Sequence, residues 1–278
     1  MLSENLRKYI ASKHIAGPKL GDALSVCRAA AERKSGTILS LWTQDKSKIS
    51  FTSGCLEIID AIVKEKLDCY LSIKPSLLDF DIKQFSELAA AASKNNIRIH
   101  FDSLTYDLAP KSLEFIKKAE FLYSNVGYTL PSRWLRSRKD AEEIAALKIP
   151  VRVVKGQWKD TGYPEINTKE NFLEILKILA NKSPLIAIAT HDFALAKEAV
   201  LTLKEAGHNG CEIEQFFSLP LNCKKLTELY NIKFRLYVAY GQPYLPYNIN
   251  NFFERPIMIK WLVKDLITRQ RSDLNFCM

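Results

Sequence analysis

Short apolar runs and amphipathic stretches alternate eight times along the chain. The runs cover residues 38–42, 69–74, 97–102, 121–126, 151–155, 185–189, 211–217 and 234–240. Each has the length and composition of a parallel strand buried on both faces. Between them apolar residues recur every three or four positions, as in Phe85-Leu88-Ala89-Ala92, in Phe172-Leu173-Ile175-Leu176-Leu179 and in Leu195-Ala199-Leu201-Leu203. That spacing is the stripe of an amphipathic helix. Eight strand-helix repeats with short connections predict an α/β fold closed into a single TIM-like (β/α)8 barrel. An open doubly wound sheet is the competing architecture, and it ranks second because no Gly-x-Gly-x-x-Gly turn follows any of the runs.

A chain of 278 residues accommodates one barrel of roughly 250 residues plus a leader. Residues 1–34 are expected to form that helical leader, with one helix beginning near Gly21-Asp22, and residues 35–278 the barrel. Arg7, Lys8 and Lys13 interrupt the leader, which therefore lacks the uncharged core of a secretory signal. No window approaches 18 uncharged apolar residues, so an ordinary transmembrane helix is not expected. Six cysteines at irregular spacing, with no Cys-x-x-Cys, fit a reduced, cytoplasmic protein. The net charge is +9, from 40 Lys and Arg against 31 acids. Bases and acids are interspersed, as in Arg136-Ser-Arg-Lys-Asp-Ala-Glu-Glu143, with no basic tail and no helix-turn-helix. The excess therefore reads as solvated surface rather than a nucleic-acid face, and leaves an anionic ligand open.

In such a barrel the C-terminal strand ends converge on one site. They offer Lys74, Asp102, Arg152 with Lys155, Thr190 with His191 and Asp192, Glu212 with Glu214, and Arg235 with Tyr237 and Tyr240. Arg152, at the centre of its strand, needs a partner wherever it points, and Asp102 is the candidate. The pair reads either as a buried structural ion pair or as part of a ligand site. Gly156 would let backbone approach a ligand closely. His191 has no second histidine at ligand spacing, so no metal site is expected, and Asp192 can cap a helix over residues 193–207.

Taken together the segments resemble the proline dehydrogenase family of flavin-dependent barrels. Val151-Arg-Val-Val-Lys-Gly156 is similar to the family's Arg-Leu-Val-Lys-Gly-Ala-Tyr strand, and Ala189-Thr-His-Asp192 to its Ala-Thr-His-Asn or Ala-Thr-His-Asp turn. Ser72-Ile-Lys-Pro-Ser76 resembles Val-Lys-Pro-Ser, Arg235-Leu-Tyr-Val-Ala-Tyr-Gly241 resembles Arg-x-Tyr-x-Pro-x-Gly, and Asp102 matches the Asp of Asp-Ala-Glu. The resemblance implies FAD as cofactor, an amine or amino-acid substrate oxidised at a C–N bond, and an electron acceptor that it does not identify. It assigns the chemistry to Arg152, Lys74, Asp102 and Tyr237. Flavin contacts would fall to Arg152, Lys155, Gly156, Gln157, Trp158, Thr190, His191 and Glu254, and substrate contacts to Lys74, Tyr237, Asn250 and Asn251.

Departures from the family pattern bear mostly on the substrate. Where the family carries an Arg-Arg pair that grips the proline carboxylate, the segment Tyr247-Asn-Ile-Asn-Asn-Phe-Phe-Glu254 places Asn250 and Asn251. Losing two charge-assisted contacts costs on the order of 3 to 6 kcal/mol of carboxylate binding. The fourth strand ends Gly127-Tyr-Thr-Leu-Pro131 and lacks the family's flavin-binding glutamine. Gln157-Trp158 stands in place of Ala-Tyr. The pattern predicts retained flavin contacts and an altered substrate, or a flavin- or phosphate-ligand-binding barrel without dehydrogenase activity.

Overall fold

The computed structural model describes residues 15–43, 47–160, 164 and 166–242. Eight parallel strands close into a barrel in the order β1-β2-β3-β4-β5-β6-β7-β8, with β1 (Gly36–Trp42) pairing β8 (Lys233–Gly241) over seven residues. The others are β2 (Cys69–Ile73), β3 (Ile99–Phe101), β4 (Val126–Pro131), β5 (Val151–Val154), β6 (Ile186–Ala189) and β7 (Cys211–Phe216). The predicted (β/α)8 architecture is the observed one. Helix α1 (Leu20–Glu32) precedes β1, and α2 (Lys48–Lys64), α3 (Ile82–Ser93), α4 (Ala109–Leu122), α5 (Ser137–Ala146), α6 (Thr168–Leu179), α7 (Phe193–Glu205) and α8 (Lys224–Tyr230) connect successive strands.

The apolar core is the shell between strands and helices. Phe85, Leu88, Ala89 and Ala92 of α3 are buried, and so are Phe172, Ile175, Leu176 and Leu179 of α6. In α7 the buried stripe is Leu195, Ala199 and Leu203, while Leu201 lies off that face and is exposed. Helix α1 starts one residue earlier than the Gly-Asp signal suggests. Lys19 is its N-cap, and the Asp22 carboxylate accepts the Lys19 N–H at 2.9 Å. Asp192 caps α7 by accepting the Leu195 N–H.

The fourth strand is a correction. Residues 121 and 122 end α4, and Phe121 is 88% exposed. The strand itself begins at Val126, with Gly127 beside His100, where a Cβ would lie 2.4 Å from the ring Nδ1. The five described cysteines are buried free thiols. Among the described residues no helix is long and apolar enough to cross a membrane.

Candidate active site

The side chains that point into the barrel are unusually polar for this fold, whose interior is ordinarily filled by branched aliphatics. Tyr70 and Ser72 of β2, His100 of β3, Thr129 of β4, Arg152 of β5, Glu212 and Glu214 of β7 and Arg235 of β8 are all buried. Their strands alternate, so every second residue faces the axis.

Arg152 is the hub. Its Nε donates to Glu214 Oε2 at 2.5 Å, and its Nη1 to Asp102 Oδ1 at 2.6 Å. Nη1 also lies 3.3 Å from Thr129 Oγ1 and 3.5 Å from Ser72 Oγ, and Nη2 donates to the Tyr70 hydroxyl at 2.8 Å. Tyr70 in turn donates to Glu214 Oε1 in a short hydrogen bond. Tyr237 donates to Asp102 Oδ2 at 2.8 Å, and the Arg152 guanidinium stands 5.3 Å from its ring centre. The ion pair with Asp102 is therefore present, but Glu214 is a second and more deeply buried partner.

Burial opposes a charge on Arg152, yet Glu214, Tyr70 and Asp102 outweigh it and hold the guanidinium protonated well above its ordinary range. For Glu214 burial prevails: it pushes the carboxyl above its ordinary value against the pull of Arg152, with the neighbouring Glu212 adding to the rise. Desolvation, with Arg152 and Arg98 nearby, keeps His100 neutral; its Nε2 lies 3.0 Å from Thr129 Oγ1. Asp102 is the carboxylate closest to the opening, since its side chain is 14% exposed and that of Glu214 2%.

Above this layer lies an aromatic wall. Phe216 of β7 stacks on Tyr237 with centroids 5.2 Å apart, and Trp42 of β1 packs on Phe216 at 5.8 Å. Lys74, just past β2, sets its ammonium 5.4 Å from the Trp42 ring centre. The sequence reading overlooked Tyr70, Trp42 and Phe216. The period-two pattern of their strands, continued from Ser72, Ser40 and Glu214, was the available signal.

The remaining expected contacts lie on the same rim, after β5 and β6. Lys155 pairs with Asp192 Oδ2 at 3.4 Å, and Lys169 reaches that oxygen at 3.0 Å. Burial raises the Asp192 carboxyl, but Lys169, the Leu195 N–H and Lys155 prevail and hold it at about 2. Gly156 has φ +85°, and a Cβ there would meet Pro131 Cβ at 2.7 Å, so backbone geometry alone requires the glycine. Gln157 and Trp158 turn their carbonyls to Arg133 and Trp134, leaving the Trp158 side chain 38% exposed. Thr190 Oγ1 accepts the Asp192 N–H.

His191 is held at both nitrogens. Nε2 accepts the Phe216 N–H at 3.0 Å, and Nδ1 must carry the hydrogen because it faces the Pro220 carbonyl at 3.1 Å. Burial lowers its pKa and favours this neutral tautomer. Asn250, Asn251 and Glu254 lie outside the described residues.

Two groups do not belong to the mouth. Arg235 and Glu212 lie near the N-terminal ends of their strands, where Arg235 Nε donates to Glu212 at 3.1 Å and Nη1 reaches the Thr37 and Asp68 carbonyls. Tyr240 points outward, because β8 turns Arg235 and Tyr237 inward and leaves alternate residues to the helices. A metal-centred site would need Asp102, Glu212, Glu214 and His191 together. Instead the first and third hold Arg152, the second holds Arg98 and Arg235, and His191 binds backbone.

A closed barrel with an ionic, aromatic-walled mouth is thus the class of protein that fold and site define. No family model matches the chain. It is 25% identical over 229 residues to proline dehydrogenase 2 of Bacillus subtilis (strain 168), covering 77% of this chain and 75% of that protein. Proline dehydrogenase 1 of the same strain is 21% identical over 238 residues, covering 81% and 78%. Among solved structures, proline utilization A from Bdellovibrio bacteriovorus, inactivated by N-propargylglycine, superposes with a TM-score of 0.74 at 15% identity. The match takes in 87% of this chain and only 34% of that much longer one. A Bradyrhizobium japonicum proline utilization A variant gives 0.65 at 18% identity, with 84% and 29% covered. The chain is thus a (β/α)8 barrel with distant similarity to proline dehydrogenases.

Proposed function

We propose that the barrel binds FAD at its C-terminal mouth and oxidises the C–N bond of a secondary amine of the proline type. The observation that carries this reading is Arg152, a fully buried cation held in place by Asp102 and Glu214 beneath an aromatic wall. The donor set fits the cofactor. Lys155 and Lys169 share one carboxylate on the rim and leave a positive excess suited to a diphosphate, while the exposed Trp158 offers a ring face. Thr190 and Gly156 border the same rim, and His191 can present only its ring face. When bound, FAD supplies the hydride acceptor.

The chain's own residues do the rest. With FAD bound, Arg152 would supply a fixed positive charge where negative charge builds up, and its five hydrogen-bond partners prevent reorientation. Asp102, the more exposed of its carboxylates, is placed to meet the N–H of an amine and to take its proton, with Tyr237 holding the other oxygen. Tyr237, Phe216 and Trp42 offer faces that favour an apolar ring carrying a positive nitrogen. Lys74 is the described cation placed to meet a carboxylate on the substrate, and Asn250 and Asn251 in place of an arginine pair weaken that grip. Free L-proline is therefore expected to be a poor substrate. Conversion of both asparagines to arginine is expected to improve its binding.

The test is uptake of the cofactor. Protein incubated with FAD and desalted is expected to retain the flavin absorbance band, with FAD confirmed by mass spectrometry, and Arg152→Ala to retain less. Wild-type protein that emerges colourless refutes the reading. A yellow protein whose band no amine bleaches points instead to the flavin-binding barrel without dehydrogenase activity.

A further inference from the structure

At the opposite end of the barrel, among the N-terminal strand ends, lies a cavity of ≈ 260 Å³ lined in part by Asp68, Tyr70, Asn96, Arg98, Asn125 and Arg235. We propose that it binds a small oxyanion, inorganic phosphate or a phosphate monoester, between Arg98 and Arg235. Nothing in the catalytic reading uses this cavity. The Tyr70 ring forms its roof, with the Arg98 guanidinium 3.7 Å and that of Arg235 5.1 Å from the ring centre, whereas the Tyr70 hydroxyl points to Arg152 and Glu214 on the side of the mouth.

Charge and hydrogen-bond supply both point to an anion. Arg98 and Arg235 share one carboxylate, Glu212, at 3.2 and 3.1 Å. Asp68 is likewise shared, by Arg235 at 3.1 Å and Lys233 at 2.6 Å. Three cations thus face two carboxylates; the third, Lys233, is 48% exposed, whereas the two guanidinium side chains are only 11% and 6% exposed. Guanidinium groups held this far from water favour an acceptor for every N–H they carry, and an oxyanion supplies several.

Unused donors belong to residues that line the cavity. Among the described residues, Arg98 Nε and Nη1, Arg235 Nη2 and Asn96 Nδ2 make no hydrogen bond, although both arginines line the cavity. Asn125 Nδ2 donates to the Asn96 carbonyl and side-chain oxygen at 2.9 Å, which fixes the Asn96 amide at the rim. Gly36 leaves the space the Arg235 fork occupies, since a Cβ there would lie 2.6 Å from Nη1. Forked guanidinium donors on a fixed frame suit the tetrahedral oxygens of phosphate.

A floor that serves only stability is the ordinary role of this rim, and titration calorimetry on the full chain separates the two. Inorganic phosphate and glycerol phosphate are titrated at constant ionic strength, with chloride as the matched control. Saturable one-site binding of either at millimolar concentrations is expected, and the tighter of the two tells whether the free ion or a monoester is the ligand. Asn96→Asp keeps the acceptor for Asn125 and suits φ +54°, but replaces a donor with a negative charge. It is expected to weaken binding by about tenfold, and Arg98→Gln to abolish it, with circular dichroism confirming the fold. No heat beyond that of chloride, or equal affinity in Asn96→Asp, overturns the proposal, even where Arg98→Gln fails to fold.

Discussion

Two charged layers inside one barrel are built with opposite balance. At the floor two guanidinium groups, Arg98 and Arg235, converge on a single carboxylate, Glu212. One layer higher a single guanidinium, Arg152, is flanked by two carboxylates, Asp102 and Glu214. Guanidinium groups outnumber carboxylates around Glu212, where Asp68 is a second and more exposed partner of Arg235, and carboxylates outnumber guanidinium groups around Arg152. The same residue types on the same eight strands thus give the two layers opposite local balance, which is the basis for proposing an anion at one end and a protonated amine at the other. Tyr70 divides them, with its ring toward the floor and its hydroxyl toward the mouth.

The mouth breaks most severely. Arg152→Ala leaves two carboxylates, Asp102 and Glu214, without their cation, with only hydroxyl donors remaining, and is expected to destabilise the fold by about 3–5 kcal/mol in urea denaturation. A loss below about 1 kcal/mol would mean that the layer is not held by charge. At the floor, Glu212→Gln keeps the shape and removes the shared charge. It is expected to cost about 1.5–3 kcal/mol and, by enlarging the positive excess, to tighten phosphate binding. Weaker phosphate binding in that variant would contradict the charge comparison.

Smaller effects sharpen the frame around the mouth. Gly156→Ala must adopt φ +85° against Pro131, a strain of about 1–3 kcal/mol read as a lower thermal midpoint. Asp192 gives the smallest effect. Its carboxyl is held at about 2, below the ordinary 3.8, so the ionised form stabilises the folded state. That contribution is complete above about pH 4 and is lost as the pH falls toward about 2. The flanking lysines are largely exposed, which limits it to less than about 1 kcal/mol. Asp192→Asn keeps the helix cap and is expected to flatten this acid limb; an unchanged limb would assign it to other carboxylates.

The barrel was legible in the sequence because each strand is apolar where it meets the helices and each helix repeats its stripe. β4 was misplaced because Phe121 and Leu122 look like a strand while ending α4 in solvent, whereas the true strand carries Gly127 and Pro131, residues with poor strand propensity. Gly127 is explained only by His100, its register partner on the neighbouring strand β3, a tertiary contact with no local signature. Of the candidate site, Arg152 and Asp102 were paired correctly from strand position. Arg235 and Glu212 were assigned to the wrong rim because a strand's residues alternate in direction regardless of height, and height along the axis depends on stagger between strands. Glu214 was noted as a strand-end acid, but its grip on Arg152 spans β5 to β7 and needs the closed barrel.

The central claim is that the mouth is arranged for an amine nitrogen and only weakly for a carboxylate. Anaerobic mixing of the FAD-loaded protein with pyrrolidine and, separately, with L-proline reads this directly through bleaching of the flavin band. The account predicts faster and tighter bleaching by pyrrolidine, with L-proline gaining when Asn250 and Asn251 are both replaced by arginine. Bleaching by L-proline in the unmodified protein that equals or exceeds that by pyrrolidine would contradict it.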